Sequence, residues 1–387
     1  MSTPARHRLR NSVLAVSIPL SLVLAGCSST STSSADGAPS TGAITIAVEA
    51  PLTGDQASNG QDILRGAQLA VDEANAAGGV LGRQITLVQA DDKANPDEGV
   101  TVAKSVIDGP AVAVVGIYNS GVGLKNLPLY IDGKVVPVQM TSTDDTTGEG
   151  VTVQPKNSQI SPVEFNYIKG LNAKKVALLV DPSAYTQGMA DRLNSLLTAD
   201  GVTVTAVAIT AGQTNYTADV TKALSGQPDL VYVSTYFPEG SLIAKALAAA
   251  AVGGDKATCF MGLGNQDPAF ITQAGIPASQ RCVFSGVPTP DQFPSATKYV
   301  VNYTEKFSTP PGVWGIFAYD SMRILLKAIT TANSTDYEPV LAALKNQTID
   351  FAGATGSVTI DPATGNRPNV PVKILHVSGE GAFVVSS

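Results

Sequence analysis

Histidine and cysteine are nearly missing from this chain. Of 387 residues, two are His and three are Cys. Beyond residue 26 the single histidine is His376, so any histidine-served serine or cysteine nucleophile would have to use it. Nothing in the surrounding PVKILHVSGEG supports that role. A histidine–cysteine metal cluster cannot be assembled from these counts. There is no C-x-x-C, no H-E-x-x-H and no G-x-x-x-x-G-K-[ST], which removes the corresponding redox, zinc-peptidase and phosphate-loop chemistries. Carboxylates are plentiful, but Asp91-Asp92 and Asp144-Asp145 are adjacent pairs that strand or loop alternation aims apart. They read as caps and turn formers. An enzyme remains only a remote alternative, through Asp181 or Asp267, and no catalytic residue, metal or cofactor is expected.

Basic charge is also scarce. The three arginines of residues 1–26 leave 22 Lys and Arg against 32 Asp and Glu in the other 361 residues, a formal charge of −10. That argues against nucleic acid and acidic surfaces as partners. Past residue 26 no apolar run approaches the roughly 18 residues of a membrane span, so the folded part is expected to be soluble and, we expect, monomeric.

What is present begins with Arg6, Arg8 and Arg10, followed by the apolar VLAVSIPLSLVLA (13–25) and then Leu24-Ala25-Gly26-Cys27. A basic segment, a short apolar one and small residues at a cleavable position make a signal peptide over 1–26. The four residues resemble a bacterial lipobox, in which Cys27 would be lipidated and become the first mature residue. Each buried acyl CH₂ adds about 0.8 kcal/mol, so such an anchor would hold the chain on the outer face of the cell membrane. Residues 27–42, rich in Ser and Thr, cannot bury enough area to fold and read as a flexible tether.

From residue 43 strands and helices alternate. The series opens with AITIAVEA (43–50), a helix over about 60–77 carried by Ile63, Leu64, Ala67, Ala70 and Val71, and QITLVQA (84–90). A helix over 96–107, AVAVVG (111–116), a helix near 121–131 and VVPVQ (135–139) follow. A second series has strands at 175–180, 202–209, 229–234, 257–262 and 281–286, with helices between. Short apolar strands between amphipathic helices predict parallel sheets covered on both faces. Length and the two series predict two similar lobes. Cys259 and Cys282 lie in neighbouring apolar strands, ATCFMG and RCVFSG, as a disulfide or as two buried thiols.

The loops after strands carry the functional signal. PLTGDQASNG (51–60), IYNSGVG (117–123) and MTSTDD (140–145) place hydroxyls, amides and glycines at the carboxyl edge of a parallel sheet. There, loop side chains and free helix N–H groups can hold a small polar or anionic group. Tyr185 in DPSAYTQG, Tyr236 in STYFPEG and Trp314 could wall a ligand site.

Residues 43–387 resemble the branched-chain amino acid (Leu/Ile/Val) type of periplasmic substrate-binding protein of ABC importers. The resemblance is carried by IAVEAPLTGDQASNGQDILRGAQLAVDEANAAGGVLGRQITLV, DDKANPDEGV, VVGIYNSGVG, KKVALLVDPSAYTQGMADRL, PDLVYVSTYFPEG and FAYDSMRILLKAI. It implies a two-lobed α/β type I fold hinged by three crossovers, with lobes of 43–157 plus about 287–350 and 158–286 plus about 351–387, closing on a small solute and delivering it to a membrane permease. It also implies that Ser120 with the Gly121 backbone, Thr141 and Thr143 grip a carboxylate, and that Tyr185 and Tyr236 face it from the second lobe. Relatives binding α-amino acids carry an acid in the loop that reads MGLGNQDP here. Gly264 is nearest that position, with Asn265 and Asp267 beyond, so an amine-free carboxylate or a neutral amide becomes the expected solute, with leucine, isoleucine or valine as the other reading. A sensor of the same fold, signalling to a membrane receptor, is the alternative.

Overall fold

The computed structural model describes residues 42–386; the leader, Cys27 and most of the tether lie outside the described residues. The chain runs β1 (Ile44–Ala50), α1 (Ala57–Ala76), β2 (Ile85–Asp91), α2 (Pro96–Ile107), β3 (Ala111–Gly116), α3 (Ser120–Asp132), β4 (Val136–Gln139). It continues with α4 (Asn157–Gly170), β5 (Lys175–Val180), α5 (Ala184–Ala199), β6 (Thr203–Ala208), α6 (Thr217–Leu224), β7 (Leu230–Ser234), α7 (Phe237–Val252) and β8 (Thr258–Met261). Then come α8 (Pro268–Ala274), α9 (Ile276–Ser279), β9 (Cys282–Gly286), α10 (Thr297–Phe307), α11 (Gly315–Ala332) and α12 (Tyr337–Gln347). Four short strands close it: β10 (Phe351–Gly353), β11 (Gly356–Val358), β12 (Lys373–Val377) and β13 (Phe383–Val385).

Two sheets result. The first has the order β2-β1-β3-β4, all parallel. The second has the order β13-β12-β9-β8-β7-β5-β6, with β5 to β9 parallel and β12 and β13 antiparallel at one edge. β1 is buried along almost its whole length, as expected of a strand covered on both faces. On α1 the three-and-four spacing buries Ile63, Leu64, Ala67, Ala70 and Val71, and α1 lies close against α11. A Cβ on Gly66 would stand 1.9 Å from the Gly315 carbonyl oxygen, so glycine is what lets these helices approach.

The chain passes from the first sheet to the second before α4 and returns after β9, where Val287 joins the first core. The last passage differs from expectation. β10 and β11 belong with the first lobe: Ala354, Val358 and Ile360 are buried in its core. Asp320 on α11 fastens the turn between them, accepting from Ala354 N–H at 2.8 Å, Thr355 N–H at 2.8 Å and Thr355 Oγ1 at 2.6 Å. The crossing to the second sheet therefore falls between Ile360 and β12, not near residue 351. The buried carboxylate that holds this turn lies 34 and 35 residues upstream of its partners, and local pattern carries no trace of it.

Cys259 and Cys282 sit directly opposite each other on β8 and β9 and are joined by a disulfide, with Cα atoms 4.5 Å apart. The bridge closes a loop of sequence separation 23. Removing both thiols (Cys259→Ser with Cys282→Ser) is expected to cost about 3 kcal/mol by chain entropy. Urea unfolding measures it, and an unchanged midpoint would show that the bridge adds nothing.

Candidate functional site

The carboxyl ends of the first sheet face those of the second, and the loops there enclose a cleft. Its lining is Tyr118, Ser120, Ser142, Gln154 and Trp314 from the first-lobe side, with Tyr185, Tyr236, Leu263 and Gly264 opposite. Four rings form a chain across it: Tyr185 to Tyr236 at 5.7 Å between centroids, Tyr236 to Tyr118 at 6.2 Å, Tyr118 to Trp314 at 5.8 Å. These rings leave about 10 Å³, barely room for one water molecule. A solute can enter this closed arrangement only if the lobes part.

Each ring is set by its backbone. Tyr185 stands in the first turn of α5 and Tyr236 caps α7, both just past strands of the second sheet. Trp314 is fixed through Asp62 of α1, whose buried carboxylate accepts from the N–H groups of Gly312 (2.9 Å), Trp314 (2.9 Å) and Gly315 (2.6 Å) and from Tyr303 Oη (2.9 Å). Burial pushes the Asp62 carboxyl above its ordinary range, against the pull of those donors.

Of the residues expected from sequence, Ser120, Tyr185, Tyr236, Gly264 and Trp314 line the cavity. Gly121 instead borders an adjoining groove with Asn119, Asp181 and Glu239. Thr141 does not face the cleft. Its hydroxyl is bonded to Gln139 Oε1 and, at 2.6 Å, to Thr146 Oγ1, and the residue is fully buried. Thr143 contributes structure: its N–H donates to Ser120 Oγ at 3.2 Å and its Oγ1 accepts from Asp145 N–H. Asn265 is turned inward, donating to the carbonyls of Val233, Thr235 and Gly262. Asp267 caps α8 through Ala269 N–H at 2.7 Å and accepts from Ser58 Oγ at 2.7 Å, tying the two lobes together outside the cavity. In these cases neighbouring backbone or side-chain polar groups engage a side chain that the family resemblance had assigned to the cleft.

The residues missed are Tyr118, Ser142, Gln154 and Leu263. Tyr118, Ser142 and Leu263 lie inside the loops singled out, Ser142 and Leu263 next to a named position and Tyr118 two residues from Ser120. Gln154 had no signal. It is buried, and its Oε1 has no partner among the described residues.

Behind the 141–143 loop lies Lys156, almost wholly buried. Its Nζ donates to Thr146 Oγ1 (2.7 Å), the carbonyls of Thr141 (3.1 Å) and Thr143 (3.2 Å), and Gln139 Oε1 (3.3 Å). Burial pushes the ammonium down to about 7, against the attraction of Asp144 and Glu149.

No charged side chain lines the cavity, and the nearby buried acids are occupied. Asp62 and Asp267 are engaged as described, and Glu164 accepts from Tyr232 Oη (2.9 Å) and Ser285 Oγ (2.5 Å). An acid at position 264 has no room either, since a Cβ there would meet Thr235 O at 2.8 Å and Tyr185 Cε1 at 3.0 Å.

Two facing α/β lobes that enclose a ring-walled cleft, with no charged side chain in its lining among the described residues, suit the capture of a small solute. The periplasmic binding protein model matches residues 43–382, and the chain belongs to that family, whose members bind solutes outside the cytoplasm and are not enzymes. Leu/Ile/Val-binding protein BraC3 of Rhizobium johnstonii is 33% identical over 329 residues, 82% of this chain and 87% of that one. Among solved structures, the leucine-binding protein LivK of Thermotoga maritima matches at TM-score 0.81 and 27% identity, covering 89% of this chain and 98% of that one. LivJ of Streptococcus pneumoniae, solved with isoleucine, matches at TM-score 0.78 and 26% identity, covering 89% and 99%. The fold is therefore the α/β type I periplasmic-binding fold of the branched-chain amino acid group.

Proposed function

We propose that this protein is a lipid-anchored capture component of an ABC importer. It closes its two lobes on a small carboxylate-bearing solute that lacks an α-amine, then presents it to the permease. The carrying observation is the cavity itself, which offers hydroxyls at one end, aromatic walls around it and no acidic side chain. A desolvated ammonium without a carboxylate partner costs several kcal/mol, so this lining supports an amine-free solute. Hydroxyls of Ser120 and Ser142 would hold the carboxylate, and Tyr185, Tyr236, Tyr118 and Trp314 would cover an apolar remainder. The names of the relatives supply the second reading, leucine, isoleucine or valine, with Gln154 as a neutral partner for the amine.

The test is thermal melting of the purified full-length protein against a panel of branched-chain amino acids, 4-methylpentanoate, benzoate, keto acids and amides. A ligand at about 100 times its Kd adds roughly 2.7 kcal/mol, a shift of several degrees. The expected result is a shift with amine-free acids that exceeds the shift with leucine. A shift confined to leucine, isoleucine and valine would overturn the amine-free reading and install the second one.

A further inference from the structure

We propose that Lys156 is a specificity-determining residue, a cation held behind the 141–143 loop that makes the first-lobe end of the cleft select an anionic solute group. The inference rests on the cleft being the solute site.

Three observations converge. The ammonium is buried against four neutral acceptors and takes part in none of the ion pairs among the described residues; Asp144 and Glu149 attract it only from beyond ion-pair distance. Burying a cation unpaired is expensive, and it is sustained here at the back of a ligand loop. The Thr141 carbonyl is drawn to Nζ, and in a trans peptide the following N–H points the opposite way. That N–H belongs to Ser142, which lines the cavity, and it has no partner among the described residues. Finally, Ser120 Oγ accepts from Thr143 N–H, which leaves its own proton to donate into the cavity.

Donors therefore face the cleft while the charge stands one layer behind them, the arrangement that suits an anion. A carboxylate gains both the hydrogen bonds and the attraction of Lys156, whereas a neutral amide gains the hydrogen bonds alone. The other charged groups around Lys156 are Asp144 and Glu149, with Asp144 ion-paired to Arg192 at 3.1 Å. The bare ammonium titrates near neutrality and a bound carboxylate raises it, so carboxylate binding is strongest at low pH and weakens as pH rises.

The experiment is calorimetric titration of the full-length protein with 4-methylpentanoate and with 4-methylpentanamide, at pH 6.0 and pH 9.0. The acid stays ionised at both values, so its own titration does not intervene. Expected is an acid affinity at least tenfold higher at pH 6.0 than at pH 9.0, with the amide indifferent to pH. In Lys156→Met the acid should lose at least tenfold at pH 6.0 together with its pH dependence, while the amide keeps its affinity. An acid whose affinity is equal at both pH values in the unaltered protein overturns the role of Lys156, even where the variant fails to fold. So does an acid that binds no better than the amide at pH 6.0, the case in which neither binds included. If some uncharged or amine-bearing solute of the wider panel still shifts the melting point, solute capture stands and only the anion selection falls.

Discussion

Asp62→Ala should unfold far more easily than the unaltered protein, by about 4 kcal/mol in urea. The carboxylate accepts from three backbone N–H groups and one tyrosine hydroxyl in a buried setting. Alanine offers none of them an acceptor, and a stranded buried donor costs about 1–3 kcal/mol. Partial entry of water relieves some of the four, which brings the sum to the stated figure. Asp62→Asn keeps one acceptor oxygen and should fall between. Binding should weaken as well, because the Trp314 N–H is among the stranded groups and its ring closes one end of the cleft. Urea unfolding followed by circular dichroism decides the matter. A loss below about 1 kcal/mol would mean that the 312–315 loop is held by packing and not by this carboxylate.

Tyr185→Ala is expected to weaken solute binding by at least tenfold while leaving the stability of the unliganded protein nearly unchanged. In the closed cleft Tyr185 packs on Tyr236 at 5.7 Å and against the bare backbone of Gly264. Truncating an aromatic anchor at a closed interface typically costs 2 kcal/mol or more, and tenfold corresponds to about 1.4 kcal/mol. Tyr236 and Gly264 stay beside the ring when the lobes part, but opening exposes its cleft-facing side to water, so the unliganded protein has less burial to lose. Calorimetry with the solute that emerges from the panel measures the first effect, and urea unfolding without solute the second. Unchanged affinity would remove Tyr185 from the site. A stability loss as large as the affinity loss would make it a packing residue of the second lobe.

Much of the architecture was legible because it rests on periodicity. Apolar strands at 44–50, 111–116 and 175–180 and the stripe on α1 announce covered parallel sheets without reference to distant residues. Cys259 and Cys282 were legible as neighbours for the same reason, since each lies in a strand of one series. The third crossover was not, because Asp320 and Arg367 hold the β10–β11 turn by contacts 30 or more and 10 to 12 residues away respectively, and no local pattern encodes them.

The site divides along the same line. Sequence by itself determined the poverty of histidine, cysteine and basic charge, the two βα series, the loops that would meet at the sheet ends, and the family to which residues 43–382 belong. Only the tertiary structure decided which side chains those loops turn toward the cleft. Loops have no repeat to fix orientation, and each polar side chain goes where an unpaired neighbour claims it. Thr141 is claimed by Gln139 and Thr146, Asn265 by three carbonyls and Asp267 by a helix end and Ser58. What remains facing the cleft are Ser120, Ser142, Gln154 and the rings, with the charge of Lys156 placed behind them by a fold that no stretch of the sequence displays.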